Sequence, residues 1–327
     1  MSKKLTINDI AKMSGVAKST VSRYLNGGSV RLATAQKIKK IIEENNYEPN
    51  VFARLKAKES RVVGITVPGF DSITTPRLAE VIVRYLKKND YTPLIMHTGH
   101  SIAEEIRSIE RLKNMNVDGI MVLATGTTKE YEEVVKKLQV PILFLGQRFP
   151  GANSIVEDDY NAGYKIGEYI GRRTFEEIYL LWVSKADPAV GGERRRGVID
   201  GLLSCGKQPT EVIETSFSYG DAVCNVEKLS ERLKKPAALI CATDAIAQGA
   251  YKVFYEKNIT IPEEVSVVGF GDYRSGELIY PPLTTIKFDW ENMGESSTET
   301  MLQMIQEKPV SQIQVTPYEF IERESVR

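Results

Sequence analysis

The strongest constraint on the fold is a long alternation of apolar runs with amphipathic stretches, which occupies residues 61–327. Runs typical of buried β-strands are Val62–Val67, Pro93–Met96, Gly119–Leu123, Ile142–Leu145, Ile178–Val183, Leu239–Ala242 and Val265–Gly269. Helical spacing of apolar residues fills the intervals, as at Arg77–Lys88 and Ala245–Lys257. Buried strands that alternate with helices predict parallel sheets with helices on both faces.

Seven or more strand–helix units are too many for one small sheet. We therefore expect two lobes of the doubly wound α/β type, with a cleft at the carboxyl ends of the strands, where such sheets bind ligands. A closed barrel of eight such units is the alternative topology. The total length of 327 residues also favours more than one compact unit.

The first 60 residues follow another pattern, that of three short helices. Thr6 is a capping residue with Asp9 three positions on, and Gly15 supplies the left-handed stop that such a helix needs. A second short helix is predicted at about 18–26 and a third at about 32–45. Two short helices joined by a tight glycine turn predict a helix-turn-helix, whose second helix can enter a major groove.

The formal charge is distributed unevenly between these two parts of the chain. It sums to zero, from 43 basic and 43 acidic side chains. Residues 1–60 hold 12 basic and 5 acidic side chains, a net +7, so the remainder carries −7. The outer face of the second helix carries Lys18, Ser19, Ser22 and Arg23 and no acid. This asymmetry predicts a polyanion-binding module joined to a second module.

Composition and motifs exclude several other classes of protein. A chain that is 42% apolar and 26% charged is globular, and no apolar run reaches the roughly 18 residues of a membrane helix. The N-terminus lacks a signal peptide, so we expect a cytoplasmic protein without a membrane partner. Three scattered cysteines and the pair His97 and His100 predict neither a disulfide framework nor a metal site. Without a phosphate loop or nucleophile elbow, we expect no enzyme and no cofactor.

Four segments of the N-terminal part resemble the signature of lactose-repressor-family transcription regulators. Within that family, the chain is most similar to the sucrose operon repressors of Gram-positive bacteria. The four segments are Asp9–Ala11, Gly15–Ala17, Ser19–Arg23 and Asn45–Asn50. The resemblance implies an α/β fold class: an N-terminal three-helix helix-turn-helix domain with a hinge helix, then a two-lobed, type I periplasmic-binding-protein-like core with parallel sheets. The strand Leu283–Phe288, the helix at about 290–306 and a strand-like run at 312–323 match the family's crossover between lobes, against the barrel.

The resemblance also implies the domain boundaries and the DNA-binding residues. The helix-turn-helix domain is residues 1–49, the hinge is 50–60, and the effector-binding and dimerisation domain is 61–327. Within the last of these, the N-lobe is at about 61–158 plus 289–318. The C-lobe is at about 159–288 plus 319–327. The implied DNA-binding residues are Thr6, Lys18, Ser19, Thr20, Ser22, Arg23, Asn26, Asn50 and Leu55. Leu55 would be the wedge in the minor groove, although Ala53–Leu55 is one residue shorter than the family pattern.

Candidate effector-binding residues follow the predicted strands. They are Asp71, Ser72, Gln147, Arg194, Phe217, Asp244 and Asp272. Carboxylates, an arginine, an amide and an aromatic ring are the groups that bind sugar hydroxyls and the apolar sugar face. By resemblance, Arg194 lies across the effector and Phe217 is an aromatic wall. Gly146 and Gly271 stand where lactose- and purine-type members have aspartates, and Asp272 is the substitute that we expect.

These features together predict a homodimeric repressor that binds double-stranded, pseudo-palindromic operator DNA. A small sugar, sucrose or a related sugar or sugar phosphate, would control its operator affinity from the cleft. One alternative is a global carbon-catabolite regulator with a phosphoprotein corepressor. The other is a sugar-binding module without DNA function. The sequence leaves open the operator, the sugar and the sign of regulation.

Overall fold

The structure is a computed structural model that describes residues 5–25, 28–45, 47, 59–70 and 72–327. Contacts divide the chain into two units, residues 1–61, called the head below, and residues 62–327, called the body. Among the described residues, no helix is sufficiently long and apolar to cross a bilayer.

The head consists of three helices, α1 Ile7–Ser14, α2 Lys18–Leu25 and α3 Leu32–Glu44. The predicted start and stop of α1 are confirmed. The Asp9 carboxylate accepts hydrogen bonds from the Thr6 N–H (2.8 Å) and the Thr6 hydroxyl (2.6 Å), and Gly15 has a left-handed φ of 64°.

The three helices share one small apolar core. Its fully buried members are Ile10, Ala11, Val21 and Ile38, and Val16, Leu25, Ile41 and Ile42 pack against them. These are the apolar positions that helical spacing placed on one side of each helix. The opposite side of α2 is therefore left to polar residues.

The N-lobe of the body contains one six-stranded parallel sheet. Its strands are β1 Val62–Val67, β2 Thr92–His97, β3 Gly119–Leu123, β4 Ile142–Leu145, β5 Asn153–Glu157 and β11 Ile313–Thr316, in the order β11–β5–β4–β3–β1–β2. Its helices are α4 Thr74–Lys88, α5 Ile102–Asn114, α6 Lys129–Lys136 and α12 Trp290–Ile305. Strands β1, β3 and β4 are buried throughout, as near-continuous apolar runs require.

The C-lobe contains a second parallel sheet and a short antiparallel pair. The sheet strands are β6 Glu177–Trp182, β7 Glu211–Glu214, β8 Ala237–Cys241 and β9 Val265–Val268, in the order β7–β6–β8–β9, and the pair is β10 Thr285–Phe288 with β12 Tyr318–Ile321. The helices are α7 Asp159–Gly171, a π-helix Pro188–Arg194, α8 Arg195–Ser204, α9 Tyr219–Ser230, α10 Asp244–Glu256 and α11 Arg274–Leu278.

Two separate parallel sheets confirm the two-lobed class and exclude the closed barrel. Three details of the sequence prediction were wrong. The polar-flanked strand β5 was not recognised, and strand β7, which was expected to reach Phe217, ends at Glu214. The single strand expected at 312–323 is two strands in different sheets, because Pro317 between them lacks the N–H that a continuous ladder needs.

Helices α7 and α8 pack unusually closely, and this packing positions the site. A Cβ on Gly163 would collide with the Arg194 carbonyl, and one on Gly197 would collide with the Tyr160 carbonyl. Only glycine permits this approach of two backbones. The start of α7 is thereby held against the end of the π-helix, where Asp159 and Arg194 meet.

Candidate functional site

The outer face of α2 presents hydrogen-bond donors to solvent. Lys18, Ser19 and Arg23 are exposed, Thr20 and Ser22 are half-buried, and Val21 between them is fully buried. Helix α2 contains no acidic residue. Lysine, arginine and hydroxyl groups in this arrangement can donate to phosphates and to guanine edges in a major groove.

The remaining predicted DNA-binding residues lie in other places. Thr6 is exposed at the start of α1, and its hydroxyl donates to Asp9, so its contribution to the head includes capping. Asn26, Asn50 and Leu55, together with the predicted hinge, lie outside the described residues. The same is true of Asp71 in the body.

The centre of the body contains a buried ion pair between Arg194 and Asp159. Arg194 Nε donates to Asp159 Oδ1 at 2.7 Å, Nη2 lies 2.6 Å from the same oxygen, and Nη1 donates to the Ala242 carbonyl at 2.9 Å. Both side chains are about 5% exposed. The rings of Phe270 and Phe288 each have their centroid 4.9 Å from the guanidinium carbon, which fixes its plane.

Two further carboxylates lie close to this pair. Burial, followed by the Asp159 charge, raises the pKa of Glu157 to about 7. Burial also raises the pKa of Asp159, although the Arg194 charge opposes that shift. Asp187 caps the π-helix, since its Oδ1 accepts from the Val190 N–H at 2.7 Å. The junction of the two lobes therefore concentrates three acids around one arginine.

Asp244 is fully buried, and both of its oxygens are bonded within the C-lobe. Oδ1 accepts from the Thr285 hydroxyl at 2.6 Å, and Oδ2 accepts from the Tyr273 N–H at 2.8 Å. Burial raises its pKa to about 6. The Tyr273 hydroxyl in turn lies 3.1 Å from the Thr74 hydroxyl of α4, so Asp244 orients a contact between the lobes.

Asp272 directly precedes Tyr273, but its carboxylate is bonded to the C-terminal segment of the chain. Arg323 Nη2 donates to Asp272 Oδ1 at 2.7 Å and lies 3.1 Å from Glu277. Asp272 lines a cavity of about 320 Å³ below α4, together with Arg77, Lys287 and Trp290.

Two predicted residues follow strands of the N-lobe sheet. Gln147, which follows β4, is 7% exposed, and within the described part of the chain its Oε1 has no hydrogen-bond partner. Ser72 is exposed, and its hydroxyl accepts from the Thr75 N–H at 3.3 Å, which caps the first turn of α4.

Phe217 lies on the C-lobe side, at the wall of a cavity of about 650 Å³. Ser184, Asp187, Thr215 and Lys228 line the same cavity. The Thr215 hydroxyl is buried, and no described residue hydrogen-bonds to it. An aromatic ring beside hydroxyls and a carboxylate offers an apolar sugar face and sugar hydroxyls a complementary surface.

The structure thus brings Arg194 to the lobe junction, and it places Gln147 and Phe217 at strand ends on the two lobes. Sequence reasoning missed Glu157, Asp159, Asp187 and the two phenylalanines around Arg194. Glu157 and Asp159 follow β5, so the rule for strand ends would have found them if β5 had been recognised. No group of three or more metal-ligating side chains is clustered in the parts of the chain described above.

Two family models match the chain, one for each unit. Residues 6–50 match the bacterial regulatory proteins of the lacI family, and residues 170–326 match a periplasmic binding protein-like domain. A helix-turn-helix head followed by a two-lobed body defines a bacterial regulatory protein.

Full-length relatives share both units. The sucrose operon repressor of Staphylococcus xylosus is 35% identical over 94% of this chain and 95% of its own length. The transcriptional repressor PurR of Vibrio atlanticus is 29% identical over 93% and 92%. The lac repressor dimer bound to operator and the anti-inducer ONPF has the same fold, with a TM-score of 0.89 at 24% identity over 99% of both chains.

The chain belongs to the lacI family. It is a DNA-binding transcriptional regulator whose body contains a periplasmic binding protein-like domain.

Proposed function

We propose that this protein is a homodimeric repressor whose affinity for a pseudo-palindromic operator is controlled by a sugar, sucrose or a close relative. The observation that carries the proposal is its 35% identity, over nearly its whole length, with a sucrose operon repressor. The proposed site of action is the cytoplasm, where operator DNA lies.

In the proposed assignment of functions, residues 1–49 bind DNA, residues 50–60 form the hinge, and residues 61–327 bind the sugar and the second subunit. The exposed donors of α2 support the first assignment, because Lys18, Ser19 and Arg23 face solvent without an acid on the helix. Each head would read one half-site of the palindrome.

The sugar would bind between the lobes, at the carboxyl ends of both sheets. Arg194, Phe217, Gln147 and Ser72 are the proposed contacts. Asp71, which lies outside the described residues, is a further candidate. Asp244 and Asp272 belong to the same region, and their bonds to Thr285, Tyr273 and Arg323 suit them to positioning this wall.

The C-lobe carries the proposed dimer surface. Tyr255 on α10, Leu278 on α11 and Tyr280 just after it are between 77% and 88% exposed, although all three are large apolar side chains. The Tyr251 hydroxyl donates to the Pro281 carbonyl at 2.8 Å, which ties α10 to the segment containing Tyr280. Exposed apolar groups at neighbouring elements are typical of an interface with a second chain.

The proposed switch is a change in the angle between the lobes. The Thr74–Tyr273 hydroxyl contact joins the lobes and would be strengthened or lost as the cleft closes around the sugar. In a dimer, rotation of the two N-lobes would change the spacing of the two heads. The sugar must bind the state with low operator affinity more tightly, because a ligand shifts an equilibrium only by its differential affinity.

Operator titrations test the proposal directly. Duplexes selected by the full chain from a randomised pool would be titrated by fluorescence anisotropy, with and without sucrose and a panel of mono- and disaccharides. We expect a palindromic consensus and at least tenfold weaker binding in one saturating sugar. Equal operator affinity across the whole panel would contradict sugar control, and failure to select any duplex would contradict the DNA-binding assignment.

A further inference from the structure

Glu157 lies at the carboxyl end of an interior strand of the N-lobe sheet. It is the last residue of β5, next to the end of β4, where the Gly146 N–H donates to the Ile155 carbonyl at 2.9 Å. Gly146 has a left-handed φ of 79°, and a Cβ built on it would lie 4.0 Å from Glu157 Oε2. The Glu157 carboxylate therefore lies beside the space that a side chain at position 146 would enter.

The groups around Glu157 do not neutralise it. The charges that face it are those of Asp159, Asp187 and Arg194, and Arg194 is already bonded to Asp159. Apart from its own backbone N–H, no group in the described part of the chain hydrogen-bonds to this carboxylate. A half-buried carboxylate whose one donor is its own backbone N–H is costly, so a ligand that supplies further donors gains affinity there.

Two other polar groups at the strand ends also lack partners within the described residues. They are the Gln147 amide oxygen after β4 and the Thr215 hydroxyl after β7, and both side chains are more than nine-tenths buried. The Thr215 hydroxyl belongs to the cavity that Asp187 and Phe217 also line. Like Glu157, each of these groups can accept a hydrogen bond from a ligand with many hydroxyls.

We propose that Glu157 is the N-lobe carboxylate that accepts hydrogen bonds from the bound sugar, and that the end of the sugar facing it carries hydroxyls and no phosphate. This inference rests on the proposed function and names the chemistry of its effector site. A phosphate would bring roughly −1.5 to −2 charges next to three carboxylates. The one arginine among them is already paired.

The test is sugar affinity, measured by calorimetry on the full-length protein with sucrose and the sugar panel. Glu157→Gln should bind the sugar at least about tenfold more weakly, the ratio expected when one charge-assisted hydrogen bond is lost. The variant should fold, because the substitution removes a half-buried charge and keeps the size of the side chain. Glu133→Gln is the matched control, since Glu133 is exposed on α6 and pairs with Lys136. The control should bind like the natural chain.

A second variant tests the position of the carboxylate. Gly146→Asp in the Glu157→Gln background places a carboxylate in the adjacent space, and aspartate tolerates a left-handed φ. We expect this double variant to recover part of the lost affinity. The natural chain should also bind more tightly as the pH rises through about 7, and Glu157→Gln should not.

The outcomes separate this inference from the proposed function. If the natural chain binds no sugar of the panel, the proposed function fails and the inference fails with it. If the natural chain binds a sugar and Glu157→Gln binds it equally well at every pH, only the inference is overturned. It is also overturned if sucrose 6-phosphate binds and Glu157→Gln strengthens that binding, because a phosphate then faces Glu157.

Discussion

The head and the body hold their functional polar groups in opposite ways. On α2 of the head, Lys18 and Arg23 are exposed, and within the described residues neither forms an ion pair. In the body, Arg194 and Asp159 are buried and bonded to each other. A surface that binds a polyanion needs free donors, whereas buried charges must be paired before a ligand arrives.

This difference has a consequence for mutagenesis. Side chains on the outer face of α2 can be removed without exposing the core, so DNA binding and folding should be separable in the head. The buried charged groups of the body contribute to folding as well as to ligand binding. Their substitution should therefore change stability and ligand affinity together. The net charges of +7 in residues 1–60 and −7 in residues 61–327 accord with this division, since only the basic N-terminal part is suited to DNA.

The largest expected effect is the loss of one member of the buried pair. Asp159→Asn or Arg194→Met should lower the free energy of unfolding of the body by about 3–5 kcal/mol, because each leaves an uncompensated buried charge or unpaired donors. Both tryptophans, Trp182 and Trp290, lie in the body, so tryptophan fluorescence during urea unfolding reports on the body alone.

The matched comparison is an exposed pair of the same lobe. Arg232 bonds to both carboxylate oxygens of Glu211, at 2.6 and 3.0 Å, but both side chains are at least 40% exposed. Arg232→Ala should cost less than about 1 kcal/mol. Equal losses for the two pairs would show that burial does not distinguish them.

The second effect is a pH dependence that arises from Asp244. Its pKa is about 6 in the folded chain, above the ordinary value of 3.8, so the folded state retains a proton that the unfolded state loses. The contribution of this group to stability is therefore present below about pH 4 and is lost as the pH rises to about 6. Relative to the natural chain, the free energy of unfolding of Asp244→Asn should therefore rise by up to about 3 kcal/mol between these two pH values.

Urea unfolding of the body at a series of pH values measures this gain. The natural chain and Asp244→Asn should differ by an amount that grows between pH 4 and 6 and is constant above it. The variant retains an acceptor for the Tyr273 N–H, so its fold should persist. A constant difference across the range would contradict a raised pKa at Asp244.

The third effect concerns DNA binding without unfolding. Arg23→Ala should weaken binding to the selected operator by about 1–3 kcal/mol, with no change in the thermal midpoint of either unit. Lys113→Ala removes an equally exposed positive charge from α5 of the body and should leave operator affinity unchanged. If both variants weaken binding equally, net charge and not the α2 face explains the affinity.

The same contrast explains which parts of the molecule could be predicted from sequence. The helices of the head and their buried residues Ile10, Ala11, Val21 and Ile38 follow from local spacing, because each helix has one apolar side. In the body, Arg194 was predicted as a site residue, but its partner Asp159 lies 35 residues earlier and follows the unrecognised strand β5. Local periodicity carries no information on such pairs, nor on the stacking of Phe270 and Phe288 around Arg194.

The smallest expected effect is the cost of replacing a glycine that has a left-handed φ, and it can be compared between the two units. Gly15 in the head and Gly151 in the body have φ values of 64° and 76°, and a Cβ on either has no atom within about 3.5 Å. Replacement by alanine should therefore cost each unit about 1 kcal/mol through backbone strain alone. Hydrogen exchange of amides in α1 and in β4 measures the two costs separately.

A 60-residue unit has little stability to lose, so Gly15→Ala should visibly raise exchange throughout the head. Gly151→Ala should leave the slowest amides of the body protected, and a similar loss of protection in both units would show that the body is no more stable than the head.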